Sequence, residues 1–335
     1  MKKINNILCV VEPNDNSEAA LIHALKIAND HQADITFVSV LNKTEKWKKI
    51  FKKEDANYNK FKSYPKEKLV LLKNWLEKYD ISPEANIKLY EGIGFIETIK
   101  DVIKNDYDLI VKSAENIDWL SQLFGSDDMH LLRKCPCPIL MLNPTQKKPF
   151  KKVMATVDVN DGSTESQSEE SNEPDEKRVQ ETLNKSVLNF GAIFSLSDLT
   201  ELHICSVWEA FGESHLRHSV FSQTSTKEVD SYVEETKLKC LNRLTQLINE
   251  SNKLIGTDVA DYLQAKTHLI KGTPSKTICS TAGSLNIDLI VMGSVARTGI
   301  PGFIIGNTAE SILGQVTCSV LVVKPDGFVS PVTIR

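Results

Sequence analysis

The chain is written twice, and this duplication constrains its fold more than any other feature. Leu89-Tyr-Glu-Gly92 recurs as Leu269-Ile-Lys-Gly272, and Asp108-Leu-Ile-Val111 as Asp288-Leu-Ile-Val291, both 180 positions on. Gly125-Ser126 and Cys137-Pro-Ile-Leu140 find counterparts in Gly306-Asn307 and Cys318-Ser-Val-Leu321 at 181. Nearer the start, Ile7-Leu-Cys-Val-Val-Glu-Pro-Asn14 corresponds to Val153-Met-Ala-Thr-Val-Asp-Val-Asn160 at 146. An offset that grows along the chain means that the second copy carries an insertion and longer helices. A length of 335 residues suits two domains. They are expected at 1–147 and 148–335, joined near Asn143-Pro-Thr-Gln-Lys-Lys-Pro149.

Each copy alternates two periodicities. In the first, apolar runs of strand length and β-branched content fall at 7–12, 34–40, 86–91, 108–113 and 138–142. Helical patterns lie near 17–31, 55–80, 94–105 and 126–134. In the second, the runs fall at 152–158, 200–208, 265–271, 288–293 and 319–323, with helices near 177–196, 227–252, 274–285 and 307–315. Short, near-continuous apolar strands are those that helices bury on both faces, which implies parallel sheets. Right-handed crossovers then give an α/β fold of two tandem doubly wound domains, each with a five-stranded parallel sheet flanked by helices.

Between the first strand and first helix of the second copy, residues 161–176 carry seven acids, four serines and no large apolar side chain. Such a segment cannot bury a core and reads as a solvated, mobile insertion; a phosphorylation site is the competing idea. The net charge of −4 supplies no basic field for nucleic acid, and Trp47, Trp75, Trp119 and Trp208 are too scattered for a stacking platform. No apolar run is long enough to span a bilayer. The start, Met1-Lys-Lys-Ile-Asn-Asn-Ile-Leu-Cys-Val-Val-Glu-Pro13, reads as a first strand rather than a signal peptide, so a cytoplasmic location is expected. Seven scattered cysteines are no disulfide framework. Cys135-Pro-Cys137 lacks a matching ligand pair and reads as a turn into a buried strand, so no metal site is expected.

One stretch points to chemistry. From Asp288 a strand-like run ends at Gly293, a Gly-studded loop follows, and Gly306-Asn307-Thr308 opens a helical pattern. Backbone N–H groups at a helix start make an anion site, and glycines let a ligand approach the backbone. Gly293 would turn the chain toward a phosphate, Gly306 with Asn307 and Thr308 would cradle phosphates, and Arg297 would pair with one. N-capping by Asn307 or Thr308, and simple exposure of Arg297, compete with these roles. Asp158 ends the first strand of the second copy, where ligands of open α/β sheets sit and where an acid can bind a base or ribose hydroxyls. Capping its own turn is the alternative. Glu12 holds the equivalent place in the first copy, with Gly125 and Ser126 as the degenerate remains of the loop. His130, His203 and His268 read as structural, and no catalytic residue is assigned.

These residues resemble the universal stress protein family. Its signature is Gly, two residues, Gly, nine residues, Gly, then Ser or Thr. Gly293 and Gly306 take the first and third glycine places, while Ala296 stands at the second and Asn307 at the Ser/Thr. In the first copy Ser113 and Asn116 replace the first two glycines. The likeness covers both halves except the acidic segment, in the family's tandem form. It implies a fold like that of the adenine nucleotide alpha hydrolases and a role in stress survival. It also implies that some members bind ATP or another adenine nucleotide without being efficient enzymes. Single-domain members commonly dimerise, so the two halves are expected to form an internal pseudo-dimer, with a homodimer as a further expectation. Two other readings stay open: a module for a small apolar ligand or a protein partner, and a weak nucleotide hydrolase.

Overall fold

The computed structural model describes residues 3–42, 58–82, 84–114, 126–160, 173–218, 225–294 and 305–334. The first copy runs β1 (Asn6–Val10), α1 (Glu18–His31), β2 (Asp34–Asn42), α2 (Tyr58–Glu77), β3 (Asn86–Gly92), α3 (Gly94–Asn105), β4 (Leu109–Ser113), α4 (Asp127–Lys134) and β5 (Ile139–Leu142). The second runs β6 (Lys152–Thr156), α5 (Glu173–Asp198), β7 (Glu201–Trp208), α6 (Glu213–His218), α7 (Thr226–Ile255), α8 (Thr257–Leu263), β8 (Lys266–Lys271), α9 (Pro274–Leu285), β9 (Leu289–Gly293), α10 (Asn307–Leu313) and β10 (Ser319–Val323).

Two compact units result. One takes the described residues up to Pro149 together with Ile305 and 317–334, so it includes β10. Its strands lie in the order β3-β2-β1-β4-β5-β10. The first five are parallel, and β10 runs antiparallel to β5 with Leu321 opposite Leu140. The other unit holds β9-β6-β7-β8, all parallel. The central strands are buried along almost their whole length, as β1 and β6 show, because helices cover both faces. The outer strands β3 and β8 carry Lys88, Glu91, Lys266 and Lys271 and are only half-buried. Charged edges of this kind discourage further strand pairing.

The duplicated residues turn out to be the joints of each unit. The Asp108 carboxylate accepts from the backbone N–H of Asn5 at 2.9 Å and Asn6 at 3.1 Å, tying the head of β4 to the head of β1. Asp288 does the same for Lys151 at 2.7 Å and Lys152 at 3.0 Å. Just before each aspartate, Asp106 (φ 45°) and Asn286 (φ 54°) end α3 and α9 in the left-handed conformation that Asn and Asp tolerate best.

Besides the antiparallel place of β10 beside β5, three features depart from the sequence reading. The helix expected at 177 begins at Glu173, so the last four residues of the segment read as a mobile insertion, 173–176, form its first turn. The remainder of that segment, 161–172, lies outside the described residues. Two short helices, α6 and α8, were not expected; at six and seven residues they span under two turns, too few for an apolar repeat to stand out.

The thiols behave as small hydrophobes. Burial alone pushes the Cys205 thiol up to about 11, and the Cys137 thiol donates to the carbonyl of Tyr107 at 3.1 Å. Among the described residues no group of His, Cys, Asp and Glu is arranged to hold a metal, and no helix is long and apolar enough to cross a membrane.

Candidate functional site

Each unit has a cleft beyond the carboxyl ends of its strands, where an open α/β sheet leaves backbone groups exposed to a ligand. The second-copy cleft encloses about 620 Å³ and brings together Asp158, Gly293, Gly306, Asn307 and Thr308. Arg297 and Ala296 lie outside the described residues. The first-copy cleft encloses about 720 Å³ and includes Glu12, Ser113 and Asp127. Gly125 is likewise outside the described residues.

In the second cleft Asp158 is held from both sides. Its Oδ1 accepts from the backbone N–H and the Nδ2 of Asn160, both at 3.0 Å. Its backbone is clamped by Asn184 of α5, which accepts from the Asp158 N–H at 3.2 Å and donates to its carbonyl at 2.7 Å. Asn160 also donates to the carbonyl of Val207 at 3.0 Å, which fixes the turn after β6 to the end of β7. The carboxylate is therefore pre-oriented at the cleft, and Oδ1 already serves the turn.

Gly293 has a neighbour that its sequence context does not reveal. A Cβ placed on it would lie 2.6 Å from Cδ2 of Leu183, a residue of α5 that is 2% exposed. The missing side chain at the end of β9 thus admits α5, and its φ lies outside the left-handed range that would itself call for glycine. Gly306 has φ −63° and ψ 146°, ordinary extended values, and heads α10 without any side-chain cap. Its own N–H donates to the carbonyl of Ser294 at 2.8 Å, closing the far end of the loop onto β9. Asn307 and Thr308 are exposed at the helix start.

The first cleft is arranged differently at every matching point. Ser126 is the N-cap of α4, accepting from the N–H of Met129 at 3.2 Å. Asp127 and Asp128 fill the first turn, so the chain's own carboxylates meet the positive end of the helix. Asp127 leans onto Gly94 at the start of α3, its Oδ2 2.8 Å from where a Cβ would be. Asp128 is 3% exposed and pairs with Lys112 of β4. Glu12 accepts from the Ser39 hydroxyl at 2.8 Å and pairs with Lys68 of α2 at 2.6 Å. The Ser113 hydroxyl accepts from the N–H of Ala20 at 3.0 Å.

Sequence reasoning missed Asn160, Asn184, Lys68 and Lys112. Only Lys112 had left a sign: it interrupts a buried strand at a place where the second copy has Met292. The histidines read as structural line neither cleft, although His130 stacks on Phe95 of the first. His203 of β7 and His268 of β8 stack at 5.2 Å with Nδ1 and Nε2 2.9 Å apart, and His130 stacks on Phe95 at 4.8 Å.

A model of the universal stress protein family matches residues 3–143 and 184–324, one match in each copy. The chain belongs to the universal stress protein family. The second match begins after the acidic segment, so β6 and Asp158 fall between the two matched stretches. The chain is similar to universal stress protein E of Photorhabdus laumondii, with 26% identity covering 99% of this chain and 98% of that one. It is 27% identical to universal stress protein E of Escherichia coli K12 over 72% of this chain and 68% of that one. Two solved structures share the fold. A functionally unknown protein from Pseudomonas aeruginosa PAO1 has a TM-score of 0.64 at 22% identity, covering 97% of this chain and 94% of that one. A universal stress protein from Archaeoglobus fulgidus has a TM-score of 0.55 at 18% identity, covering 96% and 97%. Tandem universal stress protein domains thus account for the duplication.

Proposed function

We propose that this universal stress protein acts in stress response and survival as a binding protein rather than an enzyme, and that its second cleft takes ATP or another adenine nucleotide. One observation carries the reading. The helix start in the second cleft is headed by Gly306 with no side-chain cap, whereas Ser126, Asp127 and Asp128 occupy the equivalent start in the first. A phosphate would meet backbone N–H groups in one cleft and carboxylates in the other. Gly306, Asn307 and Thr308 would receive the phosphates, with Arg297 as a further contact. Asp158, steadied by Asn160 and Asn184, would accept from ribose hydroxyls or the base. Equilibrium dialysis of the full chain against ATP tests this. Binding that Gly306→Trp abolishes is expected; binding that survives it would remove the site from this cleft.

A second reading has its own support. Phe211, 58% exposed, and Tyr232, 37% exposed, both line the second cleft, and the Tyr232 hydroxyl donates to the Phe211 carbonyl at 3.1 Å. An aromatic mouth of this kind also suits a small apolar ligand. Native mass spectrometry of the protein as purified should then show a co-purifying apolar molecule, and its absence would remove that reading.

A further inference from the structure

The helix that walls each cleft presents four matching positions to it, and α7 adds Tyr232. In the first copy these are Tyr64, Glu67, Lys68 and Leu71 of α2; in the second they are Thr236, Lys239, Cys240 and Arg243 of α7. The spacing is identical, one residue followed by those three, four and seven further on, which is one face of a helix. That face becomes more positive, although Lys68 gives way to Cys240. Glu67 gives way to Lys239, and the apolar Leu71 gives way to Arg243. The single cation of the first set, Lys68, is committed to Glu12 at 2.6 Å.

The balance inside each cleft follows. Among the described residues lining the first, Glu12, Glu67 and Asp127 face Lys68 and Lys112, and Asp128 stands behind Lys112. Among those lining the second, Asp158 and Glu209 face Lys239 and Arg243. Counting the described lining alone, the first cleft carries one more carboxylate than cation and the second carries equal numbers.

We infer that Lys239 and Arg243 are specificity-determining residues of the second cleft. They make it accept a ligand bearing phosphate charge, and the Glu67 and Leu71 at their places in the first cleft turn such a ligand away. This rests on the nucleotide reading above and adds residues from outside the glycine loop. The physical basis is range. A space of about 620 Å³ is only roughly 10 Å across, so a phosphate anywhere in it lies within about a Debye length of both cations. Low-dielectric walls focus that field further. Arg243 lines the cleft, its Nη1 donating to the carbonyl of Val159 at 3.4 Å, one residue from Asp158. Lys239, also in the lining, pairs with Glu235 at 2.8 Å.

The test transplants the first copy's residues into the second. Full-length parent, the double variant Lys239→Glu/Arg243→Leu and the charge-keeping variant Lys239→Arg/Arg243→Lys are titrated by calorimetry with ATP and, separately, with adenosine. The transplant is expected to weaken ATP at least tenfold and leave adenosine within about twofold, while the charge-keeping variant holds ATP within about threefold. Equal loss of ATP and adenosine would show a merely structural role and overturn the inference, as would ATP binding that the transplant leaves unchanged. A parent that binds neither ligand would overturn the nucleotide reading itself, and this inference with it.

Discussion

Leu183 stands directly over Gly293: a Cβ on the glycine would come within 2.6 Å of its Cδ2 and 2.9 Å of its Cγ. The contact ties the glycine that opens the loop after β9 to the packing of α5, whose Asn184 clamps Asp158 one residue further along. Gly293→Ala should therefore destabilise the second unit by about 1–3 kcal/mol through overpacking alone. In a Leu183→Ala background the same change should cost far less. A double-mutant cycle by urea denaturation reads the coupling, and purely additive effects would refute the contact.

Glu12 satisfies two groups at once, the buried Ser39 hydroxyl at 2.8 Å and the Lys68 ammonium at 2.6 Å. Glu12→Ala leaves a hydroxyl of 0% exposure unpaired and Lys68, 11% exposed at its side chain, without this partner. A loss of about 1–3 kcal/mol is expected in chemical denaturation. Glu12→Ala/Lys68→Met should recover part of it, because the stranded cation is gone.

Lys324 is 6% exposed, with its Nζ donating to the carbonyl of Leu132 at 2.6 Å near the end of α4. Burial pulls its ammonium down from 10.5 to about 8. Between those values the unfolded chain still holds a proton that the folded chain has released, so this group makes stability rise with pH across the window and fall as pH drops through about 8. Relative to Lys324→Met, the parent should gain on the order of 2–3 kcal/mol between pH 8 and 10.5. A stability difference that stays flat with pH would contradict the burial.

His203 and His268 share one short contact between ring nitrogens, 2.9 Å apart. Burial holds both below the ordinary histidine value; the charges of His268 and Lys266 add to this for His203, and that of Lys266 for His268, while Glu201 opposes it for His203. Their neutral forms therefore support the fold above the unfolded value of 6.5, and that support is lost as pH falls through the lower folded values. Stability measured from pH 7 to 5 should decline more steeply in the parent than in His268→Gln. Parallel profiles would count against the pair.

The fold could be read from the chain because its information is local and stated twice. Apolar strands recur through each copy, and a left-handed Asp106 or Asn286 and an Asp108 or Asp288 at a strand head mark each once. The short α6 and α8 could not be read, since their few residues take their conformation from what surrounds them. The cleft was partly legible. Gly306 and Asp158 sit at positions that strand ends and helix starts single out in any doubly wound sheet. Lys239 and Arg243 were invisible because nothing in a long charged helix says which face looks inward. Gly293 shows the limit most plainly: a glycine is visible in a sequence, but the Leu183 that needs it 110 positions earlier is not.

On the proposed reading, the two copies have diverged into one nucleotide cleft and one that excludes phosphate. Calorimetric titration of the full chain with ATP tests it most directly. One site per chain is predicted, lost in Gly306→Trp and untouched by Glu12→Ala. Two sites per chain, or no site at all, would contradict it.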